Sequence, residues 1–325
     1  MRILQRLAGN RFLVIGRAGM DLCPEPAGVS IEQAASFSAS LGGSSANICA
    51  ALVRQGTKAS LVTCVSDDAI GRYCLSQLDA YGIEREYVRS VGGEFRNSLA
   101  LSESRIEDHQ TVIYRNGAAD FQMNNFDIVG IDFSVFSGLI TTGTVLAAEP
   151  SRSAAFDAFE RAKMAMVPLI FDLDYRPYSW ASAQEASAVY SDAARSFDII
   201  IGNDVEFGFM AGDYEKGLAK ARALADDGAA IVVYKMGEKG AITFAADKEI
   251  RTGIYPAKAL KPTGAGDAFM GGLIASLANG RSLNESLLRG SACASMVVER
   301  VGCAPAMPHL DELDAFLAAQ PEYVE

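Results

Sequence analysis

Histidine is scarce in this 325-residue sequence, which contains only His109 and His309. Two histidines disfavour catalysis by a serine–histidine or cysteine–histidine pair. They also disfavour a histidine-rich metal site. The six cysteines form no CxxC pair, and several of them lie in apolar surroundings, as reduced buried thiols do. The cysteine pattern thus favours a reducing compartment over a disulfide framework.

Basic clusters are also missing from the chain. It carries 29 basic and 40 acidic residues, a formal charge of −11, so neither nucleic acid nor an anionic membrane surface is an expected partner. Residues 1–10 lack the apolar core of a signal peptide, and no later run reaches the length of a membrane span. We therefore expect a cytoplasmic protein, in which any site for a phosphorylated ligand uses main-chain amides, a few arginines or a metal ion.

Two common phosphate-binding motifs are absent from the sequence. The turn after the first predicted strand reads Gly16-Arg17-Ala18-Gly19-Met20-Asp21 and lacks the GxGxxG fingerprint of dinucleotide-binding folds. No GxxxxGK[ST] segment occurs, which excludes a Walker-type loop. A nicotinamide-dependent oxidoreductase is accordingly disfavoured, and a failure to bind NADH would exclude it.

The chain does contain a regular alternation of strand and helix patterns. Short apolar runs predict strands at residues 11–15, 60–65, 139–142, 169–173, 199–201, 231–234 and 241–245. Helical periodicity predicts helices at residues 44–53, 67–81, 267–278, 283–299 and 310–319. This alternation predicts an α/β fold in which helices cover both faces of a mostly parallel sheet.

Two segments depart from this alternation. Strand patterns at residues 98–104 and 111–114 follow each other without a helix, and a strand-like insert interrupts the first strand–helix unit. We predict a single domain, residues 1–325, whose inserts at about 17–38 and 94–120 form a small β-sheet lid. Since small sheets expose their edges, pairing of two lids across a twofold axis predicts a homodimer.

The most informative segment is Thr263-Gly264-Ala265-Gly266-Asp267, which opens an apolar stretch. Two glycines let the backbone approach a ligand and direct N–H groups at it, beside the positive end of a helix. Asp267 suits a base that takes a proton while these amides stabilise charge on a phosphoryl group. The alternative is that Asp267 caps the helix and the glycines form a tight turn.

Four motifs, in order and spacing, resemble those of the PfkB (ribokinase-like) carbohydrate kinases. They are Gly42-Gly43-Ser44-Ser45-Ala46-Asn47, Asn203-Asp204-Val205-Glu206, Gly237-Glu238-Lys239-Gly240 and the segment from Thr263 to Phe269. The resemblance implies a ribokinase-like three-layer α/β/α sandwich with a mostly parallel central sheet and a small β-sheet lid. It also implies phosphoryl transfer from ATP, with Mg²⁺, to a primary hydroxyl of a sugar or sugar acid, a reaction that depends mainly on positioning and charge.

The resemblance also implies roles for individual residues. Asp267 would be the catalytic base, and the amides of Gly264, Ala265 and Gly266 would stabilise the phosphoryl oxygens. Sugar contacts would come from Asp21, Gly43 and Asn47. The nucleotide site would include Asn203, Lys235, Gly237, Gly240, Thr263, Gly264 and Gly266, and Asn203 and Glu206 would act on magnesium through water.

A purely structural role is the alternative for several of these residues. Asn47 suits a cap early in a helix. Asn203 suits a turn, and Glu206 suits a helix start, where the helix dipole favours it. Asp21 suits a solvated turn, and Gly237 and Gly240 suit an ordinary hairpin turn.

Arginines near two strand ends bear on the substrate. Asp174 and Arg176 follow a predicted strand on the side where open α/β sheets bind ligands, and Arg115 ends a predicted lid strand. A guanidinium group suits a carboxylate, so two arginines directed at one pocket would favour a sugar acid. The alternative is that each arginine is an ordinary surface residue.

The segment from Asp172 to Pro177 and the sequence Lys261-Pro262-Thr263 resemble the 5-dehydro-2-deoxygluconokinase branch of the family, which acts in inositol catabolism. Many family members instead carry an aspartate near position 261 or 262, and an asparagine in place of Asp174. A kinase for 2-keto-3-deoxygluconate or fructose is the alternative within the family. A catalytically silent sensor of sugar or nucleotide is the alternative from another class.

Overall fold

The structure is a computed structural model that describes residues 2–246 and 248–320. Its strands are β1 (Arg11–Ile15), β2 (Gly19–Glu25), β3 (Ser36–Gly42), β4 (Lys58–Ser66), β5 (Val88–Val91), β6 (Leu99–Ser102), β7 (Thr111–Tyr114), β8 (Gly138–Thr142), β9 (Leu169–Asp172), β10 (Ile199–Asn203), β11 (Ile231–Lys235), β12 (Ala241–Ala245) and β13 (Lys248–Thr252). Its helices are α1 (Arg2–Leu7), α2 (Ser44–Arg54), α3 (Ala69–Ala80), α4 (Asn125–Val129), α5 (Ser151–Met164), α6 (Ala183–Ala194), α7 (Asp204–Ala211), α8 (Gly217–Asp226), α9 (Ala265–Ala278), α10 (Leu283–Val298) and α11 (Leu310–Ala318).

The central sheet has the strand order β13-β12-β11-β10-β9-β8-β1-β4-β5. The strands from β11 to β5 run parallel to their neighbours, and β12 and β13 form an antiparallel hairpin at one edge. The prediction of an α/β fold with a mostly parallel sheet is therefore confirmed. Strands β5 and β13 had not been predicted, because both are short, partly exposed edge strands without a continuous apolar run.

Apolar side chains cover both faces of this sheet. Along β1, Phe12 and Val14 face one core while Leu13 and Ile15 face the other, as the two-residue period of a strand requires. Helices α2, α3 and α9 cover the first face, and helices α5 to α8 cover the second. Helix α9 is buried from Ala268 to Ala278 and packs between α2 and α10, so its amino-terminal end is firmly placed.

A smaller sheet lies beside the central one, with the order β3-β2-β6-β7. Strand β2 pairs antiparallel with β3 and parallel with β6, and β6 pairs antiparallel with β7. These strands come from the two segments predicted as inserts, although β3 continues to Gly42 and leads directly into α2. We call this sheet the lid sheet.

None of the described helices is both long and apolar enough to cross a membrane.

Candidate active site

The predicted site residues gather where several parallel strands end. Asp172, Asn203 and Lys235 are the last residues of β9, β10 and β11, and α7 and α9 begin nearby. Ligands of open α/β sheets bind at this carboxyl edge. Strand β2 of the lid sheet adds Asp21 from the other side.

The glycine-rich segment forms the start of α9. Gly264 is the N-cap residue in a left-handed conformation, with φ of 84°, and a Cβ atom there would lie 3.2 Å from Cys303 Sγ. The N–H of Ala268 donates to the carbonyl oxygen of Gly264 at 3.0 Å. The N–H groups before Ala268 therefore have no partner within the helix, which leaves them directed out of its positive end.

Asp267 lies in the first turn of α9, beside these amides. The side-chain amide of Asn47 donates to Asp267 Oδ2 at 2.9 Å. Burial raises the pKa of Asp267 to about 7, and the charge of Asp174 adds to the increase, against the Asn47 bond and the charges of Arg176 and Lys235. Gly264, not Asp267, is the cap of this helix, so Asp267 is left available as a proton acceptor near neutral pH.

Further carboxyl groups surround Asp267. Burial raises the pKa of Asp172 well above its ordinary value, and the charges of Asp174, Glu206 and Asp267 raise it further against Lys235. Asp174 Oδ1 pairs with Arg176 Nη2 at 2.6 Å. Sequence reasoning did not place Asp172 in the site, although its position at the end of a buried strand was a usable signal.

Asn203 and Glu206 form the start of α7. The N–H of Glu206 donates to Asn203 Oδ1 at 2.9 Å, and the N–H of Asn203 donates to Glu206 Oε2 at 2.8 Å. Glu206 Oε1 also accepts from the N–H of Tyr175 at 3.2 Å. This capping box gives both residues a structural role, with Asn203 as the helix cap and not a simple turn residue. Any action of the pair on magnesium through water stays a prediction.

Lys235 lies beside the glycine-rich segment, whereas two predicted nucleotide glycines form a turn. A Cβ atom at Gly266 would lie 3.4 Å from Lys235 Nζ, and this nitrogen lies 5.6 Å from the centre of the Phe269 ring. Gly237 and Gly240 bracket the connection between β11 and β12. The backbone at these two glycines therefore forms a hairpin turn. Their role in nucleotide binding stays a prediction.

The two predicted substrate arginines are both paired with carboxylates. The guanidinium group of Arg115 is buried, donates through Nε to Asp120 Oδ2 at 3.1 Å and lies 4.1 Å from the centre of the Phe121 ring. Arg176 is more exposed and pairs with Asp174. Neither arginine is an unpaired surface residue. In each pair the aspartate partly neutralises the positive charge that would attract a substrate carboxylate.

A third arginine, which sequence reasoning missed, belongs to this group. Arg17 follows β1, is buried, and donates to Ser98 Oγ at 3.2 Å. Burial raises the pKa of the Tyr178 hydroxyl, while the positive charges of Arg176, Arg17 and Arg115 lower it. The charges of the three guanidinium groups therefore all act on one tyrosine. The position of Arg17 at the carboxyl end of a parallel strand was the available signal.

Asp21 and Gly43 lie where the lid sheet meets α2. Burial raises the pKa of Asp21 to about 6, against the charges of Arg17 and Lys261, so Asp21 is not in a solvated turn. Gly43 has φ of 94°, and a Cβ atom there would lie 2.4 Å from the carbonyl oxygen of Arg17. Only glycine fits this close approach of two backbone segments.

Several buried polar atoms at the site have no hydrogen-bond partner within the described residues. They include Arg17 Nε, Asn47 Oδ1, Arg115 Nη1, Asp174 Oδ2 and Thr263 Oγ1. Buried polar groups are nearly always hydrogen-bonded in native proteins. Both donors and acceptors are left over here, which suits a ligand rich in hydroxyl and carboxylate groups.

Comparison with known proteins agrees with this geometry. A family model described as pfkB family carbohydrate kinase matches residues 10–310. A 5-dehydro-2-deoxygluconokinase of Photobacterium profundum is 35% identical over 310 residues, which cover 94% of this chain and 94% of the relative. The 5-dehydro-2-deoxygluconokinase of Geobacillus thermodenitrificans is 35% identical over 314 residues, covering 94% and 92%.

Among solved structures, the fructokinase of Vibrio cholerae O395, with fructose, ADP and calcium ion bound, superposes with a TM-score of 0.84. It is 24% identical, and the match covers 95% of this chain and 99% of the fructokinase. At this identity the likeness shows the shared fold.

Proposed function

This chain belongs to the pfkB family of carbohydrate kinases, and we propose that it transfers the γ-phosphoryl group of ATP to the primary hydroxyl of a keto sugar acid. The preferred substrate is 5-dehydro-2-deoxygluconate, phosphorylated at its 6-hydroxyl. The observation that carries the proposal is Asp267, a carboxyl group with a pKa near 7 beside the unpaired amides that open α9. The names of the two 35%-identical relatives support the choice of substrate.

In this mechanism Asp267 acts as the general base. Its carboxylate accepts the proton of the substrate hydroxyl as the hydroxyl oxygen bonds to the γ-phosphorus. The bond between that phosphorus and the bridging oxygen breaks, and ADP leaves with the electron pair. The N–H groups of Gly264, Ala265 and Gly266 stabilise the charge on the transferred group, and the ammonium group of Lys235 lies within reach of the same segment.

The acidic residues of the cleft suit a divalent cation held through water. Burial raises the pKa of Glu206, and the charge of Asp174 raises it further, against the charges of Lys235 and Arg176 and the N–H of Asn203. Within residues 2–246 and 248–320, no three His, Cys, Asp or Glu side chains lie close enough to ligate a metal directly. Asn203 and Glu206 would therefore hold Mg²⁺ through its water shell. Magnesium, when bound, offsets the charge of the ATP phosphates.

The arginines whose charges act on Tyr178 support an acidic substrate. Arg17 and Arg115 are buried, and each has one nitrogen without a partner. Leaving a charged donor unsatisfied is costly, and a bidentate carboxylate would relieve both donors. A neutral hexose offers only hydroxyl groups at this position.

A panel of substrates tests this function. ADP release, coupled to NADH oxidation, is measured with 5-dehydro-2-deoxygluconate, 2-keto-3-deoxygluconate and fructose at equal concentrations. We expect the highest kcat/KM with 5-dehydro-2-deoxygluconate. A preference for fructose would remove the roles given to the arginines, and absence of ADP release with every sugar would favour a catalytically silent sensor.

A matched pair of variants then tests the arginines. Arg176→Gln should raise KM for the acidic substrate about tenfold, as expected when a charged hydrogen bond worth about 1.5 kcal/mol is lost, and should change KM for fructose much less. Arg195→Gln, at the residue that follows α6 and with a side chain that is 77% exposed, is the control. Equal effects of Arg176→Gln on both substrates would contradict the assignment.

The lid sheet also supports a homodimer. Phe37 on β3 and Val112 and Tyr114 on β7 are exposed apolar side chains of this sheet. Strands β3 and β7 are its two edges, and unpaired edges with apolar side chains favour association. We propose that two lid sheets pair in solution, which static light scattering measures directly.

A further inference from the structure

Lys261 is a lysine in an unusual place. It lies in the connection between β13 and α9 and is only 1% exposed. The N–H groups of Leu260 and Lys261 both donate to the carbonyl oxygen of Val298, at 2.7 and 3.3 Å, so the backbone here is tied to the end of α10. A buried ammonium group is costly unless it is paired, and its surroundings therefore need explanation.

The ammonium group of Lys261 has a main-chain partner and acidic neighbours. Its Nζ donates to the carbonyl oxygen of Thr263. Burial lowers the pKa of Lys261, while Cys303, Cys23, Asp267 and Asp21 oppose this effect. The negative charges of Asp267, on α9, and of Asp21, on the lid sheet, therefore both act on this lysine.

The bond to Thr263 has a direct consequence for the amides that open α9. A trans peptide unit is planar, so the carbonyl of Thr263 and the N–H of Gly264 point in opposite directions. Gly264 is in the left-handed region, where glycine readily changes conformation. Holding the Thr263 oxygen in place thus sets the direction of the Gly264 N–H. This is the first in the row of N–H groups at residues 264–266, which we call the amide row.

We propose that Lys261 is a positioning residue for phosphoryl transfer, which fixes the amide row at residues 264–266 and places a positive charge near Asp267 and Asp21. The proposal rests on the proposed function, since the amide row and Asp267 are placed there in catalysis. The competing explanation is that Lys261 only stabilises the fold. Replacing a whole buried charge pair by apolar groups is often neutral for folding, whereas removing one partner is destabilising, so the melting temperature alone does not separate the two explanations and kinetic readouts are needed.

The experiment compares Lys261→Met with Lys258→Met, a control at an exposed lysine of the same connection. We expect Lys261→Met to fold and to lose about 10- to 100-fold in kcat, the range for one misplaced oxyanion donor. KM for ATP should change less than about threefold, because positioning acts mainly on the transition state. Lys258→Met should behave like the wild-type enzyme.

Two readouts separate positioning from a structural role. Loss of the nearby positive charge should shift the acidic limb of the kcat–pH profile of Lys261→Met upward by about half a unit or more. In Lys261→Gly, which leaves a cavity, ammonium or methylammonium should restore part of kcat, whereas Lys261→Met should show no such rescue.

Titration of the Asp267 carboxyl carbon by NMR, assigned with Asp267→Asn, follows the same charge effect in the ligand-free protein. A wild-type enzyme without kinase activity would contradict the proposed function, and this titration would still test the charge effect of Lys261. The proposal is overturned if Lys261→Met keeps kcat within twofold. It is equally overturned if kcat falls with a lowered melting temperature, no shift of the Asp267 titration and no rescue by amines.

Discussion

At the scale of single residues, the proposed mechanism depends on the titration of Asp267. A carboxylate in the first turn of a helix is ordinarily stabilised by the helix dipole and free N–H groups, which would lower its pKa. Burial and the charge of Asp174 outweigh these effects and raise the pKa to about 7. The group is therefore a far stronger base than an exposed aspartate, yet it still ionises at neutral pH.

Asp267→Asn tests the assignment of the base. The amide has nearly the same shape and can still accept the hydrogen bond from Asn47 through its oxygen, but it cannot take the proton. We expect kcat to fall about 10²- to 10⁴-fold while KM values change little, measured by steady-state ADP release. Asp227→Asn, at an exposed position after α8, is the control. An unchanged kcat for Asp267→Asn would refute the assignment.

The pH dependence of the wild-type enzyme follows from the same group. Because the ionised carboxylate is the active form, kcat should rise as the pH increases through about 7, the pKa of Asp267, before any shift caused by bound substrates. A kcat that is flat between pH 5.5 and pH 8.5, with chemistry shown to be rate-limiting, would contradict this.

The free energy of unfolding should fall as the pH increases, whereas kcat should rise. The folded pKa lies above the ordinary 3.8, so between these values the folded state holds the proton more tightly than the unfolded state. The contribution of Asp267 to stability is therefore lost as the pH rises through this window. Relative to the wild-type protein, Asp267→Asn should gain stability between about pH 4 and pH 8 in urea denaturation.

At the scale of elements, α9 begins and ends at glycines in the same backbone conformation. Gly264 precedes the helix with φ of 84°, and Gly280 follows it with φ of 77°. A Cβ atom at Gly264 would press on Cys303 and Val297, whereas one at Gly280 would meet nothing within 4 Å. Both glycines thus have a left-handed backbone conformation, but only Gly264 is closely surrounded by other side chains.

Gly264→Ala and Gly280→Ala make a matched pair. Each places alanine in the left-handed region at a cost of about 1–2 kcal/mol, so both variants should melt at lower temperature. Only Gly264→Ala should also displace the amide row and reduce kcat, by about tenfold or more. A similar loss of kcat in Gly280→Ala would show that general destabilisation, and not the position of the amides, is responsible.

At the scale of the whole molecule, the lid sheet presents an apolar surface that the described chain leaves exposed. Val112 on β7 is 44% exposed and Tyr114 is 61% exposed. If two lid sheets pair, Val112→Lys should place a charge at the contact and shift the protein from dimer to monomer in light scattering at micromolar concentration. Charged residues on edge strands oppose pairing of this kind.

Val135→Lys serves as the matched control, because Val135 is 47% exposed and lies outside the lid sheet. It should leave the mass in solution unchanged. A wild-type protein that is monomeric at the same concentration would end the dimer proposal, whatever the variants do.

Features that depend on neighbouring residues were predictable from the sequence. The apolar strands, the helix start at Ser44 and the glycine-rich segment before Asp267 follow from local periodicity and backbone chemistry. Together with four motifs, they were enough to predict the fold and the kinase family, both of which are confirmed. Edge strands β5 and β13 were not predicted, because an edge strand can form without a continuous apolar run.

Tertiary structure alone decided the electrostatics of the site. The pKa of Asp267 depends on burial and on Asp174, and the surroundings of Lys261 depend on Asp21 in the distant lid sheet. The charges of Arg17, Arg115 and Arg176 act on one tyrosine only because folding brings segments that are remote in sequence close together. Such effects vary with distance in space and with exclusion of water, neither of which a linear pattern contains, so the sequence determined the fold and the candidate chemistry while folding determined how the charges act together.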